Sequence, residues 1–130
     1  MFLKVFALAF AVAHFVAGTS ATAHGGVGHH VVKRDDHSGD ATFYQPGVGA
    51  CGWTSKSEDL IVAIGHDLYD SGSYCGRGLF ASYNGKSVSV TVVDRCEGCT
   101  QNDLDLSPAA FNQLASPDVG LLHNVQWHFQ

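Results

Sequence analysis

One dipeptide constrains this chain more than any other feature: Asn84-Gly85 separates the run Leu79–Tyr83 from the run Lys86–Val93. Both residues accept positive φ, which is what a two-residue β-hairpin turn requires. The second arm alternates Ser87, Ser89 and Thr91 with Val88, Val90 and Val92, so one face packs and the other is polar. Three further runs read as strands. Ala41–Tyr44 stops at Pro46-Gly47, Leu60–Ile64 is apolar throughout and ends at Gly65, and His123–Phe129 places Val125, Trp127 and Phe129 on one face. The only convincing helix opens at Ser107-Pro108, where serine caps and proline suits the first turn, and runs to Leu114. Several short strands with one short helix predict an all-β protein, a compact barrel.

The segment that folds is shorter than the chain. Residues 1–23 hold Lys4, an apolar run to Val16 and then small residues, which reads as a secretory signal peptide. Residues 24–34 are rich in glycine and histidine and end in Lys33-Arg34, a dibasic site, so they read as a pro-segment or linker. His24, His29 and His30 are metal-ligand types without a fixed geometry, and the linker reading is favoured, so no metal and no cofactor is expected. Residues 35–130 then form one small domain, expected to be exported and monomeric. No second apolar run of about 18 residues follows, the length that would suggest a membrane span. Within the domain Lys56, Arg77, Lys86 and Arg95 stand against all twelve acids, a balance unsuited to nucleic acid or anionic membranes.

Cys51, Cys75, Cys96 and Cys99 all fall in this domain, and an even count in an exported chain suggests two disulfides. Three pairings are open. Cys51 with Cys75 and Cys96 with Cys99 is favoured: the first closes a loop of moderate length, worth about 3 kcal/mol, and the second tightens a short one. A four-cysteine zinc site would want a second close pair. A redox dithiol would open a helix, whereas Thr100–Asp103 reads as loop.

Chemistry concentrates between Val93 and Pro108. Asp94 ends the alternating run and Asp105 sits just before the helix start, so two carboxylates stand on ordered elements eleven residues apart. Paired acids of this kind bind or cleave sugars.

Six stretches, Thr42-Phe43-Tyr44, Ala50-Cys51-Gly52, Asn84-Gly85-Lys86, Val93–Cys96, Asp105–Phe111 and Val125-Gln126-Trp127, together resemble the double-psi β-barrel of expansins, fungal loosenins, barwin and rare lipoprotein A (RlpA). The resemblance covers nearly all of residues 40–129. It implies a six-stranded double-psi β-barrel with one short α-helix. It also makes Asp105 the counterpart of the general acid of family 45 endoglucanases, Asp94 the second groove acid and Thr42 the groove threonine. Tyr44 is a sugar-stacking neighbour, since aromatic faces suit the apolar side of pyranose rings. Trp53 is expected to be exposed and available to a glycan, whereas Trp127 belongs to the core.

The chain departs from those hydrolases where their catalytic base should stand: Gln45–Gly49 holds no carboxylate, and none follows until Glu58. Inverting hydrolysis needs both an acid and a base. The expectation is therefore a secreted, non-hydrolytic protein that binds and loosens wall polysaccharide, either cellulose, chitin or a matrix glucan. An RlpA-like transglycosylase is matched only loosely, through Ile64-Gly65-His66. The alternative class is a protein-binding module, a protease inhibitor or effector contacting a protease or host protein through the loops Pro46–Gly49 and Leu68–Tyr74. A flavin enzyme finds no dinucleotide-binding glycine motif. A purely structural reading stands beside all of these: Asp105 accepting backbone N–H groups at the helix entry, Asp94 paired with Arg95 or Arg77, and Thr42 an ordinary strand threonine.

Overall fold

The structure, a computed structural model, describes residues 34–130. The stretches read as a signal peptide and a pro-segment, except Arg34, lie outside the described residues. Six strands, β1 (His37–Phe43), β2 (Ile61–Gly65), β3 (Gly78–Tyr83), β4 (Lys86–Cys96), β5 (Leu104–Leu106) and β6 (Leu122–Phe129), close into a barrel in the order β1-β5-β2-β4-β3-β6. The β1–β5 and β2–β4 pairs are parallel and the others antiparallel.

The hairpin forms as expected. Asn84 and Gly85 take φ of 47° and 78°, and β3 pairs with β4 from Tyr83↔Lys86 to Gly78↔Thr91. Val88, Val90 and Val92 enter the core while Ser87, Ser89 and Thr91 face outward. Trp127 is only 2% exposed, and it packs in that core with Phe111, Leu79, Leu104 and Leu122. Helix α2 (Pro108–Leu114) starts as the sequence predicts: the Ser107 hydroxyl accepts the Ala110 N–H at 3.2 Å, and Pro108 fills the first turn. Both favoured disulfides are present, Cys51–Cys75 and Cys96–Cys99.

Five expectations need correction. Leu60 lies outside β2, 38% exposed, and β1 extends back to His37 and ends at Phe43, one residue before Tyr44. A short helix, α1 (His66–Asp70), occupies part of the stretch read as the Leu68–Tyr74 loop. Asp105 is not at a helix entry; it is the middle residue of β5, a three-residue strand held between β1 and β2. Finally, Asp94 does not end its strand, because β4 continues to Cys96.

Candidate functional site

The site is built where four neighbouring strands line up. Across β1-β5-β2-β4 the register places Thr42 opposite Asp105, Asp105 opposite Ala63, and Ala63 opposite Asp94. Directly opposed residues share a face of the sheet. On β5, Leu104 and Leu106 fill the barrel, so Asp105 points outward. Ala63 is 2% exposed yet stands apart from the barrel core, which makes its methyl group the floor between the two acids.

A β-bulge puts Asp94 in this row. Val62 opposes Val92 and Ala63 opposes Asp94, so Val93 is the extra residue. Without it, strict alternation after Val92 would turn Asp94 toward the core face. The doublet Val92-Val93 breaks the serine–valine period, and that break is the sequence trace of the bulge.

Asp105 accepts a hydrogen bond from the Thr42 hydroxyl at 2.9 Å. Burial raises its carboxyl above the ordinary 3.8; the Thr42 bond opposes this and the Asp94 charge adds to it. Tyr44 follows β1, its N–H donating to Leu106 O at 3.0 Å, and its phenol stands near both acids. Burial first, then the charge and hydrogen bonding of Asp94, then the Asp105 charge, hold that phenol far above its usual range. Tyr44 therefore stays a neutral O–H donor. Asp94 Oδ1 accepts the N–H groups of Ala50 and Arg95, both at 2.8 Å. Its expected pairing with an arginine side chain is not made. The Arg95 guanidinium binds Asp70 and Glu97, and that of Arg77 lies 4.2 Å from the Phe129 ring centre.

Thr42, Tyr44, Asp94 and Asp105 thus converge. Trp53, 49% exposed, stands on the adjoining loop, where Val48 bridges Thr54, Gly49 N–H donates to Trp53 O, and Cys51 N–H donates to Val93 O at the bulge. His66 opens α1 with Nε2 3.1 Å from Asp67 Oδ1 and takes no part in the row. A separate hollow of about 870 Å³ opens at the other end of β1, lined by His37, Tyr74, Arg77 and Phe129 among others, and contains none of the groove residues. Sequence reasoning missed Ala63 and the Val93 bulge.

The family model described as lytic transglycolase, a double-psi β-barrel, matches residues 36–127. This chain belongs to the RlpA-like double-psi β-barrel family. An allergen Asp f 7 homolog from Arthroderma benhamiae is 36% identical over 110 residues, covering 71% of this chain. The chain spans only 38% of that relative's length. The papain inhibitor of Streptomyces mobaraensis is 37% identical over 101 residues, covering 71% of this chain and 70% of the inhibitor. Among solved structures, the Streptomyces papain inhibitor superposes with a TM-score of 0.67 at 33% identity, covering 72% of this chain and 93% of that one. A mutant Clavibacter michiganensis expansin in complex with cellohexaose does so with a TM-score of 0.66 at 26% identity, covering 73% of this chain and 50% of the expansin.

Proposed function

We propose that this RlpA-like barrel is a secreted protein that binds wall polysaccharide, cellulose, chitin or a matrix glucan, along the Thr42–Asp105–Ala63–Asp94 row and loosens its packing without hydrolysis. The observation that carries this reading is Asp105: an outward carboxyl, half-buried beside an apolar floor, raised in pKa and bonded by the Thr42 hydroxyl, with the neutral Tyr44 phenol nearby. A group so placed donates or accepts hydrogen bonds with sugar hydroxyls and competes with those between glycan chains. The expansin neighbour bound to cellohexaose supports a sugar ligand on this fold. Export is inferred from the leader-like residues 1–23, the pro-segment-like residues 24–34 and two disulfides.

The non-hydrolytic part turns on Asp94. Two strand spacings put its Cα about 10 Å from that of Asp105, a separation from which two carboxyls reach the span of an inverting pair. Asp94 is nevertheless already engaged by two backbone N–H groups, which suits a fixed acceptor better than a base that must release and take a proton.

Retention on insoluble cellulose and chitin tests the reading. The parent should be retained, Asp105→Ala and Tyr44→Ala should each release it, and no reducing sugar should appear. Unchanged retention in both variants overturns the groove reading. Sugar release that disappears with Asp105→Asn overturns the absence of hydrolysis.

A second reading has its own observation. Val48 is 76% exposed on a loop pinned by the Cys51–Cys75 disulfide, and a papain inhibitor is among the relatives. A loop restrained in this way binds a protein cleft with little ordering entropy lost. Inhibition of a papain-type protease that fails in Val48→Asp would favour it.

A further inference from the structure

The acid row does not end at Asp94. The next chain across from β4 is the segment entering β3, where Gly76 N–H donates to Val92 O at 2.8 Å. From Thr42 to Gly76 is four strand spacings, about 19 Å along the surface, room for several sugar units. Gly76 has φ of +80°, and a methyl group there would come within 3.3 Å of Trp53 Cη2. The indole benzo ring therefore rests against bare backbone at this end of the row, with half of the side chain open to solvent.

Trp53 is held there through Asp94. The Asp94 carboxylate takes the Ala50 N–H, the neighbouring Cys51 N–H goes to Val93 O, and Cys51 is bonded covalently to Cys75, next to Gly76. At Gly49 a methyl group would fall 2.3 Å from Val93 O, so the loop lies directly on the bulge. One carboxylate oxygen makes both backbone contacts of Asp94. An amide oxygen in the same place does the same without charge.

We propose, building on the glycan reading above, that Trp53 over Gly76 is the far subsite of the groove and that Asp94 is a positioning residue that fastens the loop carrying it. The ligand this selects is an extended, unbranched glycan chain, long enough to reach from Asp105 to Trp53. A compact or short sugar engages Asp105 alone.

Binding of hexasaccharides of β-1,4-linked glucose and N-acetylglucosamine is compared with that of the matching disaccharides. Trp53→Ala should weaken hexasaccharide binding about tenfold, the scale of one aromatic contact, and leave disaccharide binding within about twofold. Asp94→Ala should reproduce that length-dependent loss and speed hydrogen exchange at the Ala50 amide. Asp94→Asn, whose amide oxygen takes the same two N–H groups, should keep the Ala50 amide as protected as in the parent. If Asp105→Ala abolishes binding while Trp53→Ala changes nothing, the far subsite is wrong and the groove reading survives. Exchange at the Ala50 amide as fast in Asp94→Asn as in Asp94→Ala would overturn the positioning role. A parent that binds neither hexasaccharide overturns both readings together.

Discussion

Asp103 and Asp105 stand two residues apart, yet one belongs to a loop that stabilises the barrel and the other to a groove that does not. Both feel burial, which favours the neutral form. At Asp103 burial is outweighed by N–H groups of Asp40 and Thr100, both at 2.9 Å, and the Thr100 hydroxyl at 2.8 Å, so its carboxyl is held below the ordinary 3.8. At Asp105 a single hydroxyl bond from Thr42 does not outweigh burial, and the nearby Asp94 carboxylate adds to the upward shift. Saturated hydrogen bonding marks a structural carboxylate. An under-supplied one on an outward face is the kind of group the proposed glycan reading relies on.

The comparison predicts opposite signs for the two aspartates. Asp103→Ala leaves two backbone donors without a partner and should destabilise the domain at neutral pH by about 1–2 kcal/mol, the scale of losing a side-chain cap on backbone N–H groups. Because its folded pKa is depressed, this contribution is fully present above 3.8 and is lost as pH falls through the lower folded value. Urea unfolding of parent and variant at neutral and acid pH measures it. An Asp103→Ala variant as stable as the parent at pH 7 would place both acids in one class.

The Asp105 change should be smaller and reversed. Between 3.8 and its raised folded pKa, the native protein holds a proton that the unfolded chain has released. Stability therefore declines as pH rises through that window. Asp105→Asn keeps an acceptor for the Thr42 hydroxyl but carries no charge, so it should melt above the parent at pH 7, and the gap should close as pH drops below 3.8. Gained stability with lost glycan retention is the pattern expected where function is kept at the expense of stability. A lower melting temperature at pH 7 would mean that the ionised carboxylate supports the fold.

How much of this was legible in the sequence follows the range of each contact. The β3–β4 hairpin declared itself because its turn residues and its alternation are local, and the Ser107-Pro108 helix start because capping is local too. Strand β5 hid in plain view: Asp103-Leu104-Asp105-Leu106 alternates strictly, but three residues are too few to outvote the loop and helix on either side. Its partners come from 63 residues earlier in β1, a parallel pairing with no turn to announce it. The five-residue α1 is likewise too short for a helical period to show. Asp94 and Asp105 stand out in the sequence as paired acids on ordered elements, whereas Thr42 and Tyr44 enter only through the family resemblance. Their convergence over Ala63 required the Val93 bulge and two parallel ladders that no local pattern encodes.

The smallest expected effect isolates the one hydrogen bond that restrains Asp105. Valine has nearly the shape of threonine and suits a strand, so Thr42→Val should leave the barrel intact while removing the donor to Asp105 Oδ1. That hydroxyl favours the ionised carboxylate, and its loss leaves burial and the Asp94 charge unopposed. The Asp105 carboxyl, followed by carbon NMR, should then titrate at higher pH than in the parent, while Asp103, with its own donors untouched, should not move. Asp105 titrating at an unchanged pH would mean that the threonine hydroxyl is turned elsewhere in solution, and the contrast between the two aspartates would then rest on burial and the Asp94 charge alone.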